Sequence, residues 1–123
     1  MPEDALAKAV SQLTLVTSTE VDATGEFKRV RCTGKLFAGS TGILQAEVRA
    51  LLPGSKRIVL DLTDLGYMDS MGLGTIIGLY VSAKSAGVRL EVINLSARVR
   101  QLFSITNMLS LFEVCGDQNT RIP

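Results

Sequence analysis

The run Asp61-Leu-Thr-Asp-Leu-Gly-Tyr-Met-Asp-Ser-Met-Gly-Leu-Gly-Thr-Ile-Ile-Gly78 changes its apolar period midway, and this constrains the fold more than any other part of the chain. It opens at the end of Arg57 to Leu62, whose Ile58-Val59-Leu60 is a short aliphatic run rich in β-branching. Such a run predicts a strand buried on both faces. A turn is expected over Asp64 to Asp69. From Ser70 onward Leu73, Ile76, Ile77 and Tyr80 recur at spacings of three and four, which predicts a helix with one side toward a core. Asp69-Ser70 stands at the start of that helix, where short polar side chains are preferred as caps.

The flanking sequence repeats the alternation of strand and helix. Leu13 to Val21 is dense in Val and Thr and reads as a strand. Asp22-Ala-Thr-Gly25 is a turn signal, and Phe27 to Leu36 returns as a second strand. Val30, Cys32, Gly34 and Leu36 share one side of it, while Arg29, Arg31 and Lys35 share the other, as in a half-exposed hairpin strand. Ser40 or Thr41 is placed to cap a helix reaching about Leu52, with Leu44, Val48 and Leu51 as its apolar stripe and Pro53-Gly54 as its stop. The helix from Ser70 is expected to close near Lys84, with Gly87 as its cap. Val88 to Ile93 is another strand. Ser96 caps a helix carrying Val99, Leu102, Phe103 and Thr106, and Leu111 to Val114 is a last short strand. Pro2 to Val10 is either a short helical turn or loose, and Gly116 to Pro123 is a polar tail. The order β-β-α-β-α-β-α-β implies an α/β fold, with a mixed sheet of four to five strands and helices mainly on one side. With no repeat and no linker, residues 1–123 form a single domain, its core at about 13–115 and terminal extensions at 1–10 and 116–123.

Composition removes several classes of function. The 123 residues are 46% hydrophobic and 20% charged, so a packed core is expected. A net charge of +1 gives no strong field toward nucleic acid or an anionic membrane. No apolar run approaches the roughly 18–20 residues that span a bilayer. Met1-Pro-Glu-Asp-Ala-Leu has no basic region ahead of an apolar core, so a cytoplasmic location is expected. The chain has no histidine, which rules out Ser-His-Asp and Cys-His triads and His-ligated metals. No Gly-Lys-Ser/Thr follows a glycine run, so there is no Walker-type phosphate loop. Cys32 and Cys115 match no metal spacing and read as reduced thiols packed as small apolar groups. A phospho-acceptor aspartate at 61, 64 or 69 fits poorly, since the first strand offers no acidic Mg²⁺ ligands. No catalytic residue, metal site or cofactor is therefore expected.

From the residues alone, Asp69 or Ser70 reads as a helix cap, and Gly72, Gly74 and Gly78 as points where the helix approaches a neighbour closely. A phosphate on Ser70 is nonetheless well placed, because the helix N-terminus presents free N–H groups and a positive dipole end. Such a phosphate adds about −1.5 to −2 of charge beside Asp69.

Arg57 to Tyr80, with Asp-Leu-x-x-Leu-x-Tyr-Met-Asp-Ser-x-Gly-Leu-Gly, closely resembles the signature of the STAS domain in its bacterial anti-sigma factor antagonist branch. Gly34-Lys-Leu resembles the Gly-x-Leu before the family's first helix, and Val88-Arg-Leu-Glu-Val-Ile-Asn-Leu its next strand. Val99-Arg-Gln-Leu-Phe-Ser-Ile-Thr-Asn-Met-Leu and Leu111-Phe-Glu-Val resemble its third helix and closing strand. The resemblance implies that Ser70 is phosphorylated by an anti-sigma factor serine kinase of the histidine-kinase-like ATPase type. The unphosphorylated antagonist then binds that kinase and frees a sigma factor, and a phosphatase resets it. Partner contact is expected at Phe37, Gly39, Ser40, Asp69, Ser70, Met71 and Gly72. The chain departs from the family at Phe37, where an Asp is frequent, and at Met71, where many members carry a second serine. The alternative implied by the same resemblance is a STAS scaffold or regulatory subunit of a stress-sensing or lipid-transport complex.

Overall fold

Strand β1 (Leu13–Asp22) and strand β2 (Gly25–Leu36) form an antiparallel hairpin in continuous register from Leu13↔Gly34 to Asp22↔Gly25. Asp22 closes it, accepting from the Thr24 N–H at 2.8 Å and the Thr24 hydroxyl at 2.6 Å, the turn chemistry expected of Asp at this position. The structure is a computed structural model and describes residues 12–97 and 99–101. The readings at Pro2 to Val10, Leu102 to Thr106, Leu111 to Val114, Cys115 and the tail from Gly116 lie outside the described residues.

Helix α1 (Thr41–Leu51) connects β2 to β3 (Arg57–Met68), and helix α2 (Ser70–Ser85) connects β3 to β4 (Arg89–Ile93). Both crossovers join parallel neighbours, so the sheet is mixed, with order β1-β2-β3-β4. Ser96 accepts from the Val99 N–H at 3.2 Å and caps helical residues at 97 and 99–101. Gly87, at φ +75, ends α2: its N–H donates to Lys84 O, and the Val88 N–H donates to Ala83 O at 2.8 Å. These paired bonds satisfy carbonyls of the last turn and need a left-handed residue at position 87.

The core lies between one face of the sheet and the two helices. Val30, Cys32, Leu36, Ile58, Leu60, Leu62, Leu90 and Val92 meet Leu44 and Val48 of α1 and Leu73, Ile76, Leu79 and Ala83 of α2. Burial pushes the Cys32 thiol up to about 12, which suits its apolar role. The stripe expected on α2 is only half right, since Ile77 and Tyr80 are half-buried and Leu79 and Ala83 lie inside. The helix is apolar on nearly every side, so spacing alone does not select the buried face.

β3 also runs six residues beyond the strand expected to end at Leu62, through the stretch read as a turn. Two register shifts against β2 explain this: Arg31↔Asp61 is followed by Thr33↔Asp64, and Gly34↔Leu65 by Lys35↔Tyr67. Each shift places one extra residue in β3, as a bulge does. The inward positions therefore fall at 60, 62, 65 and 68, and Leu65 and Met68 stay buried at 2% and 8% exposure.

The opposite face of the sheet is charged, and Asp61 and Glu91 on it are buried. Arg57 lies 4.5 Å over the Phe27 ring and pairs with Asp22 at 2.8 Å and Glu91 at 3.3 Å. Arg29 pairs with Asp61 at 2.8 Å and with Glu20 at 2.9 Å. Asp61 also accepts from the Thr63 N–H and hydroxyl and from Asn94 Nδ2.

Candidate functional site

The carboxyl ends of β2 and β3 deliver two adjacent segments, the loop from Phe37 to Ser40 and the first turn of α2. In open α/β sheets this end of the strands is where binding sites concentrate. One carboxylate ties the two segments together. Asp69, in extended conformation, accepts from the Gly72 N–H through Oδ1 at 2.8 Å and from the Ala38 N–H through Oδ2 at 3.3 Å. Its own N–H donates to Leu36 O at 3.2 Å. Asp69 is thus the helix cap and also the pin that holds the β2–α1 loop.

This division leaves Ser70 free. It is the first residue of α2 and is exposed, and among the described residues its hydroxyl has no hydrogen-bond partner. Among the described residues no base is hydrogen-bonded to it. It projects from the positive end of a sixteen-residue helix. Met71 beside it is 59% exposed. Gly72 is buried because α2 starts hard against β2: a Cβ there would lie 2.5 Å from Leu36 O. Gly74 and Gly78 have no such reason, since nothing lies within 4 Å of a Cβ built on either. Close approach therefore holds for one of the three glycines.

The loop is built from inside by Ser40. Its hydroxyl donates to Lys35 O at 2.8 Å and accepts from the Phe37 N–H at 3.1 Å, at 1% exposure. Ser40 does not cap α1 through its side chain. It shapes the loop that Phe37, Ala38 and Gly39 present. Phe37 is half-buried, its ring lying against Gly39 so closely that a Cβ there would sit 2.8 Å from Cε2. Phe37, Gly39, Asp69, Ser70, Met71 and Gly72 therefore belong to one surface or its immediate frame. Sequence reasoning missed Ala38, whose N–H completes the Asp69 pin and whose side chain carries no signal. It also passed over Tyr67, 40% exposed and paired in register with the exposed Lys35.

Among the described residues no group of three or more His, Cys, Asp or Glu is placed to hold a metal. Two adjoining cavities, about 340 and 470 Å³, sit around Thr24, Lys56 and Arg57 at the other end of the strands, away from Ser70. No helix of the described residues is long and apolar enough to cross a membrane.

The sequence profile of the STAS domain matches residues 18–120. The chain belongs to the STAS domain family. Within the family it is similar to the anti-sigma-B factor antagonist of Bacillus subtilis strain 168, at 30% identity over 86 residues, covering 70% of this chain and 79% of the relative. The fold is similar to that of the anti-sigma factor antagonist SpoIIAA in its unphosphorylated form, at a TM-score of 0.60 and 22% identity over 76% of this chain and 82% of that one. It is equally a fold met inside larger proteins. The murine anion transporter Slc26a9 matches at a TM-score of 0.66 and 19% identity, over 83% of this chain and 20% of the transporter.

Proposed function

We propose that this STAS protein is an anti-sigma factor antagonist switched at Ser70. In the unmodified state the surface formed by Phe37, Gly39, Ser70 and Met71 docks on an anti-sigma factor that is also a serine kinase of the histidine-kinase-like ATPase type, and a sigma factor is released. The kinase transfers the γ-phosphoryl group of ATP to Ser70 Oγ: the bond from the γ-phosphorus to the bridging oxygen breaks, ADP leaves, and the hydroxyl proton passes to a base of the kinase. The new charge, beside the Asp69 carboxylate, ends binding until a phosphatase removes it. One observation carries this reading: the side-chain cap of α2 is Asp69, which leaves the neighbouring Ser70 hydroxyl exposed and, among the described residues, without a hydrogen-bond partner. A serine needed as the cap would be lost to the fold on modification.

The test is binding to the ATPase encoded nearest the gene, with mass spectrometry after incubation with ATP. Ser70→Ala is expected to bind constitutively and to take no phosphate, and Ser70→Asp to bind weakly. Equal binding of wild type and both variants would sink the switch. A second reading, a non-switching STAS subunit of a transport or stress-sensing complex, is favoured by the apolar Phe37. It predicts an unphosphorylated Ser70 in the presence of a kinase active on another substrate.

A further inference from the structure

The described sheet ends on β1, and among the described residues no segment pairs with its outer edge. Soluble proteins protect such an edge with lysines, prolines, bulges or brevity. β1 uses none of these. It is ten residues long, Leu-Thr-Leu-Val-Thr-Ser-Thr-Glu-Val-Asp, with no proline or basic residue and no register shift against β2. Its two acids lie at one end and each pairs with an arginine, Glu20 with Arg29 of β2 at 2.9 Å and Asp22 with Arg57 of β3 at 2.8 Å. Arg29 and Arg57 also serve Asp61 and Glu91, so the acids of the edge are only partly compensated, and they are confined to its last three residues. The two most exposed large apolar side chains among the described residues, Val21 at 75% and Val16 at 60%, both stand on it.

We propose that β1 pairs antiparallel with β1 of a second copy, giving a two-fold dimer whose sheet continues through four described strands from each copy. A second copy fits this edge for three reasons. Its length matches by construction. Antiparallel pairing about a two-fold axis consumes both edges and closes the assembly. The acidic end of one strand comes to lie beside the neutral Leu13–Val16 end of the other, so the acids of the two copies stay apart. The inference does not depend on the switch at Ser70, which follows β3, two strands further in.

Sedimentation velocity and light scattering from about 10 μM to about 1 mM test it, a range covering the dissociation constants of weak but specific dimers. The wild-type chain is expected to reach the mass of two copies. Val16→Lys and Val21→Lys should each weaken the dimer at least tenfold without changing the monomer's circular dichroism. Val81→Lys, at a similarly exposed position on α2, should leave it unchanged. A wild-type monomer throughout this range, or a dimer indifferent to both edge lysines, overturns the proposal. If Val16→Lys fails to fold, Val21→Lys decides alone, since the Val21 side chain is the more exposed.

Discussion

Asp69 and Ser70 are adjacent and chemically similar, yet they do different work. Both are residue types that cap helices, so the pair was legible as a helix start but not as a division of labour. The division depends on the Ala38 N–H, thirty-one positions away, which draws the second Asp69 oxygen toward the loop. Ser40 shows the same limit: it reads as a cap for α1, yet its hydroxyl turns inward to Lys35 O. Its partners are backbone groups three and five residues back, in the loop and the end of β2, and Ser readily bonds nearby backbone in place of a helix end. A denaturation experiment separates the two site residues. Asp69→Ala loses a cap and a loop tie and is expected to cost about 1–2 kcal/mol. Ser70→Ala removes an exposed hydroxyl that has no partner among the described residues and should fall within about 0.5 kcal/mol of wild type. If urea midpoints show equal losses, Ser70 contributes to the fold and is a poorer candidate for a reversible mark.

At the scale of elements, most of the order was readable and the end of β3 was not. Ile58, Val59 and Leu60 declare a buried strand because all three are apolar. Asp64 to Asp69 reads as a turn because the two bulges of β3 break the period of two. Leu65 and Met68 then fall three apart instead of two, a spacing that resembles a helix more than a strand. The bulges matter for function, since they carry β3 on to Met68 and so set where α2 begins. The start of α2 is further constrained at Gly72, and this makes the glycines of the helix unequal. Gly72→Ala places a methyl carbon 2.5 Å from Leu36 O, a backbone atom that cannot swing away. A loss of about 1–3 kcal/mol is expected, as for other overpacked sites. Gly74→Ala meets open space and should gain up to about 1 kcal/mol from helix propensity. Thermal or urea unfolding of the two variants checks both signs. A shift of the same sign in the two variants would mean that α2 does not start as tightly against β2 as the structure has it.

For the whole molecule, the alternation in β2 correctly assigned Arg29 and Arg31 to the face away from the helices, but gave no hint that part of this face is buried. Arg29 and Asp61 are thirty-two positions apart, and their pairing exists only once β2 and β3 lie side by side. The pair, with Asp61 buried and Arg29 half-buried, has a consequence for stability against acid. Burial pushes the Asp61 carboxyl up, but the Thr63 hydroxyl, Asn94, the Thr63 N–H and Arg29 together outweigh it and bring the group from 3.8 to about 2. Asp22 is also held well below the usual carboxylate range by the Thr24 hydroxyl and by Arg57. A carboxyl whose folded value lies below its unfolded one stabilises the fold at pH above the unfolded value. That contribution is lost as the pH falls through the folded value. For Asp61 the window runs from about pH 4 down to about pH 2. Asp61→Asn keeps the shape but gives up the charge, and the loss of a charged hydrogen-bond acceptor is expected to cost about 1.5–3 kcal/mol near neutral pH. The gap between wild type and variant should then close across the acid window, as the wild-type carboxyl takes up its proton. Urea titrations at successive pH values measure it. A gap that stays constant from neutral pH down to the lower end of that window would mean that the Arg29–Asp61 pair is not what fails first in acid.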